Sequence, residues 1–148
     1  MRRGLQLVLA TVGTVATTFG TIGVLKGTNG VFKGGRVSAN VDSELRFFAA
    51  WYAVLGCLML RAAPRPDANA AVVRACGAGF FLAACGRMLS IKAVGQPSTV
   101  FKLLMGIEFA VPAVIVPWQH AVRRRSAVEQ TSRAEVTDAM AEALKNKR

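Results

Sequence analysis

Four long apolar runs, parted by short polar or glycine-rich stretches, dominate the pattern of this chain. The first, about 5–25, carries no charge, and its roughly 21 residues are enough to cross a bilayer as a helix. Within it Gly13, Thr17, Gly20 and Gly23 recur at close helical spacing, which lets a neighbouring backbone approach. The second run, about 41–61, is uncharged only from Phe47 to Leu60, too short a stretch to span alone. It reaches spanning length when the turn bearing Asp42, Glu44 and Arg46 is added at the interface. Acids in a first turn also suit the positive end of a helix dipole.

The third run, about 68–91, places Ala75, Gly79 and Ala83 at steps of four with Gly77 and Gly86 beside them. That pattern predicts a close-packing face central in a bundle. The fourth, about 99–120, contains Pro112 and Pro117, which membrane helices tolerate when neighbours satisfy the freed carbonyls. Trp118 near its end fits the aromatic belt at the headgroups. The connections read as a glycine-rich loop over 26–40, a tight Pro64/Pro66 turn, and a turn at Gly95–Ser98. Beyond residue 122 the chain turns charged. Ser126 and Glu129 have capping-box spacing, and Val136, Met140 and Leu144 recur every four residues, so a short polar helix, frayed at its end, is expected there.

The expected fold is therefore all-α: a four-transmembrane-helix bundle over 1–122 followed by a charged tail over 123–148. Composition agrees. Hydrophobic residues make up 53% and charged residues 18%, with mean hydropathy +0.38. A water-soluble domain carries about a quarter of its residues as charges. Up to Val122 the only acids are Asp42, Glu44, Asp67 and Glu108, too thin a polar coat for a globule in water. The first run follows Arg2 and Arg3 like a signal peptide, but it is longer than a usual signal core, so a retained first helix is expected.

The net charge of +11 does not read as a nucleic-acid footprint. Lys and Arg sit singly or in pairs, mostly at the ends of apolar runs, only Arg123, Arg124 and Arg125 form a longer block, and no aromatics alternate with them. Basic residues framing apolar runs are what a cytoplasmic membrane surface selects. Twelve Lys and Arg fall on the side of the N-terminus, the Pro64 turn and the tail, against seven on the other. The positive-inside rule thus places both termini in the cytoplasm of a bacterial-type cell. Arg123–Arg125 and Trp118 are the expected lipid-surface anchors, the arginines touching anionic headgroups.

The chemistry-bearing residues are few. Asp42, Glu44 and Arg46 open the second helix, Arg87 lies near the outer end of the third, and Glu108 sits inside the fourth. From the expected helix ends, Glu108 is roughly 12 Å and Arg87 roughly 6 Å below the outer end, a gap that an Arg side chain bridges. Pro112 also deprives the Glu108 carbonyl of its helical partner. Ionised groups at membrane depth face the interior and pair. Three readings stand: an ion pair of Glu108 with Arg87 or Arg46 that fixes helix register, a polar pocket open to the outer face for a lipid headgroup, metabolite or ion, or snorkelling side chains.

Other signals are weak. Cys76 and Cys85 are nine apart on one helix and point to opposite faces, and no Cys-x-x-Cys occurs, so Cys57, Cys76 and Cys85 read as small apolar residues. His120 has no second imidazole with which to share a metal. Lys33 lies between Phe32 and Gly34, so the glycine-rich loop is no Walker motif. No metal, cofactor or catalytic constellation is expected. The first helix holds no acid, unlike a small proton-coupled exporter.

Two stretches carry a family likeness. The run from Asn40 to Gly56, with Asp42, Glu44, Arg46 and Phe47, resembles the acidic-x-Glu-x-Arg-Phe start of the second helix in the DUF4345 family. Gly86-Arg87-Met88-Leu89-Ser90, then Gly95-Gln96-Pro97 and Glu108, resembles that family's Gly-Arg-x-x-Ser, Gly-x-Pro and later Glu. The likeness covers about 5–119 and leaves out the tail. It implies four transmembrane helices, loosely similar to DoxX-like bundles, and no defined activity. Together these readings favour a non-enzymatic accessory subunit or a lipid- or metabolite-binding bundle, partnered by membrane lipids and by itself or a larger membrane complex. The competing class is a small membrane enzyme or transporter using Glu108 with Arg87 or Arg46.

Overall fold

The computed structural model describes residues 2–29 and 37–145. Four helices account for almost all of it: α1 (Arg2–Lys26), α2 (Ala39–Ala62), α3 (Ala70–Val94) and α4 (Thr99–Lys145). A single 3-10 turn, Gly27–Asn29, ends α1. The rest of the expected glycine-rich loop, with Gly30, Gly34 and Gly35, lies outside the described residues. All four helices are long and apolar enough to cross a membrane. One end of the bundle, the base, holds Arg2 and the α2–α3 turn; the opposite end is the rim.

Local signals set the helix ends. Ser38, in an extended conformation, accepts a hydrogen bond from the Val41 amide and starts α2 two residues before the expected position. At the other end of the hairpin, Gly95 adopts φ +110°, a conformation that favours glycine, and its amide bonds to the Ile91 carbonyl. α3 therefore runs three residues beyond Ile91, which sinks Arg87 to about 10 Å below the rim. The base turn is tied by Gln6 Nε2, which donates to the Pro64 carbonyl at 2.7 Å, and by Arg2 with Asp67 at 3.2 Å.

α1 and α2 pack along their whole length because small residues meet backbone to backbone. A Cβ on Gly13 would stand 2.9 Å from the Gly56 carbonyl oxygen, and one on Gly20 would stand 2.7 Å from that of Ala49. α3 and α4 form the second hairpin, with Gly77 set against Val116 and Pro112. The buried apolar side chains gather at the base: Leu5, Leu9, Met59, Val73 and Ile115 are fully enclosed. Elsewhere large apolar residues such as Leu7, Phe48, Leu82, Leu89 and Leu103 lie exposed, as acyl chains require and water does not.

Two expectations need correction. The Ala75–Gly79–Ala83 stripe is not the buried face of α3: Ala75 is exposed, and Val73, Cys76, Gly77, Phe80 and Ala84 are buried instead. The inward face of α3 mixes bulky Val73 and Phe80 with small Cys76, Gly77 and Ala84, and Ala75 lies to one side of it. The tail is helical, but it is no separate helix, because α4 continues unbroken through Ser126 to Lys145. The capping-box pattern is overridden where the helix already supplies the amides' partners; Arg133 with Glu129 at 2.8 Å, one turn apart, adds to that continuity.

Candidate functional site

The five candidate residues separate into two polar groups and one isolated acid. The first group is a clasp at the rim. Arg46 and Asp42 pair one turn apart at 2.7 Å on the side of α2 that faces α1. Arg46 Nη1 donates to the carbonyls of Val24 (2.6 Å) and Leu25 (3.3 Å), which the end of α1 leaves without helical partners. Asp42 Oδ1 accepts from the Thr28 amide at 2.9 Å and its hydroxyl at 3.1 Å. Gly27, at φ +55°, lets the chain turn here, since a Cβ would collide with Asp42 Oδ1 and the Arg46 guanidinium. The clasp thus caps α1 and fixes it to α2. Replacing Asp42 by Ala removes both Thr28 bonds, and a loss of about 1 kcal/mol is expected. Hydrogen exchange checks this: protection of the Thr28 amide should fall roughly five-fold while that of Leu55 stays unchanged.

The second group is a buried triad. Glu108 is 1% exposed. Arg87 grips its carboxylate with two parallel bonds, Nε to Oε2 at 2.7 Å and Nη2 to Oε1 at 3.1 Å. The Tyr52 hydroxyl donates to Oε1 at 2.6 Å. One carboxylate therefore ties α2, α3 and α4 together. The Tyr52 ring stands edge-on to Phe80, and the Arg87 guanidinium lies over the Phe101 ring at 5.5 Å from its centroid.

Of the partners open to Glu108, the structure selects Arg87. Arg46 cannot serve, because its side of α2 points toward α1. The charges are consequently not one cluster: Asp42 and Arg46 face α1, whereas Arg87 and Glu108 meet between α3 and α4. Glu44 belongs to neither group: it is exposed and forms no ion pair among the described residues. Arg123, Arg124 and Arg125 are exposed where α4 leaves the base. Trp118 turns its ring onto α1, where a Cβ on Gly4 would stand 2.8 Å away, and its Nε1 is buried without a partner among the described residues.

Two polar residues were not singled out by sequence. Tyr52 is the chain's single tyrosine, set in an otherwise apolar run, and that isolation was its signal. Gln119 is fully buried with neither side-chain atom hydrogen-bonded among the described residues. Its signal was helical phase: it follows Ile115 by four and Glu108 by eleven, on the inward stripe of α4.

Four apolar helices joined by a buried ion pair define a multi-pass membrane bundle. A family model described as domain of unknown function DUF4345 matches residues 4–119, and the chain belongs to that family. No curated protein and no solved structure matches it.

Proposed function

We propose that this is a non-enzymatic membrane module, an accessory subunit that associates through its helix faces with itself or with a larger membrane complex and holds lipid at its rim. Both termini lie in the cytoplasm, the membrane is the bacterial-type cytoplasmic membrane, and Arg123–Arg125 rest against anionic headgroups. The observation that carries this reading is the enclosure of Glu108, 1% exposed and held on both oxygens. Arg87 and Tyr52 direct three donors at its two oxygens, and side chains held this way act as a brace. A proton carrier needs an oxygen open to the next group in the relay. The extensive lipid-facing surface and the helix projecting from the base supply area for association.

Purification in a mild detergent tests the proposal. The expected result is a defined homo-oligomer or a stoichiometric membrane partner, read by light scattering and intact mass; a clean monomer contradicts it. The competing enzyme or transporter class, with Glu108 as base or proton carrier and Arg87 as anion ligand, makes a different forecast. In that class Glu108→Gln abolishes turnover or transport while the fold survives. In ours the same change acts through stability.

A further inference from the structure

We infer that the cleft between α2 and α3 at the rim binds one zwitterionic aminophospholipid, its phosphate on Arg87 and its ammonium on Glu44; this rests on the lipid-holding part of the proposed function and deepens it. The cleft follows from the helix pair itself. Near the middle of the bundle α3 touches α2, for a Cβ on Gly79 would meet Leu55 at 3.4 Å. Gly86 lies on the same face of α3, about two turns nearer the rim. There a Cβ would meet no heavy atom of the described residues within 4 Å. This flank of α3 is uncovered by α2 at that level.

The walls of the gap have a defined chemistry. Glu44 and Phe48 lie about three and two turns rimward of Leu55 on the α3-facing side of α2, and both are exposed, Phe48 at 62%. The triad backs the cleft on the α4 side. Arg87, next to Gly86, directs Nε and Nη2 to Glu108, leaves Nη1 with no acceptor among the described residues, and keeps its side chain 30% exposed. A guanidinium edge about 10 Å below the rim end of its helix is costly without an acceptor, and a phosphate supplies one bidentately. Glu44 stands about 8 Å below the rim end of α2, so this acid and the open guanidinium edge lie at nearly one depth. Opposite charges on opposite walls match a headgroup that carries both signs. The bare Gly86 backbone and the Phe48 ring leave an apolar path for acyl chain beneath it.

The full chain, stripped of lipid in mild detergent, is offered phosphatidylethanolamine or phosphatidylglycerol at equal concentration and read by native mass spectrometry. One retained phosphatidylethanolamine is expected, with at least a ten-fold preference over phosphatidylglycerol. Glu44→Gln, at an exposed position, should cut that preference below three-fold. Gly86→Leu should fill the cleft and abolish retention of both lipids, with circular dichroism checking that the helices remain. Equal retention of the two lipids by the unaltered chain, an undiminished preference in Glu44→Gln, or retention surviving in Gly86→Leu overturns the inference. Displacement of the lipid by an equal concentration of soluble phosphoethanolamine overturns the lipid as occupant. A monomeric chain that still selects the aminophospholipid would contradict the accessory-subunit reading alone, so the two failures are separable.

Discussion

Replacing Glu108 by Ala should destabilise the bundle by about 3–5 kcal/mol, the largest effect of any single polar substitution in this chain. The change leaves the part-buried Arg87 guanidinium without its counter-charge and the Tyr52 hydroxyl without an acceptor. A guanidinium cannot shed its proton to escape. Arg87→Ala should cost less, because the Glu108 carboxylate keeps the Tyr52 hydroxyl as a donor, whereas the guanidinium left by Glu108→Ala keeps no acceptor among the described residues. The double substitution should cost clearly less than the sum of the two, since neither charge then remains orphaned. Reversible unfolding in mixed micelles measures all three. Strict additivity would show that the pair does not brace the bundle.

The second large effect comes from a residue with no side chain. Gly20→Leu should cost about 3 kcal/mol, at the upper end of overpacking, by forcing α1 away from α2. A Cβ there would meet the Ala49 carbonyl oxygen at 2.7 Å and the Ala53 Cα at 2.8 Å, and backbone cannot swing aside as a flexible side chain does. Gly106 provides the contrast. A Cβ on it meets nothing within 4 Å among the described residues, so Gly106→Ala should be neutral, or stabilise by up to about 1 kcal/mol through helix propensity. The same unfolding measurement separates the two sites. A Gly20→Leu variant as stable as the parent would mean that the α1–α2 contact is looser than backbone packing.

Much of the fold was legible because the bilayer imposes a simple grammar. Spans need about 20 apolar residues, and glycine, proline and charge mark their ends. The α1–α2 interface was legible too, since Gly13, Gly20 and their neighbours have one reason to recur: close approach. The same reasoning misled on α3, where Gly79 does approach α2 but Ala75 faces outward. Small residues permit close packing without requiring it: Gly77 and Ala84 are buried in α3, and Ala75 is not. The tail misled for a related reason. Ser126 can cap a helix only where one begins, and the helical momentum of α4 carries past it.

For the site, Glu108 with Arg87 could be read from the rule that buried charges pair. Which arginine pairs could not, because Arg46 and Arg87 were separated only by the rotation of α2, and rotation is set by α1 on the far side. The depth of Arg87 depended on a three-residue extension that Gly95 permits. Tyr52 and Gln119 were hidden by the same limit, since an inward-facing polar residue is recognised only once the helix phase is known.

The hairpin geometry itself is open to one direct measurement. In a chain whose Cys57, Cys76 and Cys85 have been replaced, two cysteine pairs are compared in lipid bilayers with a short thiol crosslinker: Leu55→Cys with Gly79→Cys, and Phe48→Cys with Gly86→Cys. Rapid linkage of the first pair and none of the second is the expected result, because α2 touches α3 at mid-bundle and leaves its flank uncovered at Gly86 toward the rim. Equal linkage of both pairs would mean that the helices stay together to the rim, and neither the cleft nor the exposed edge of Arg87 would then exist.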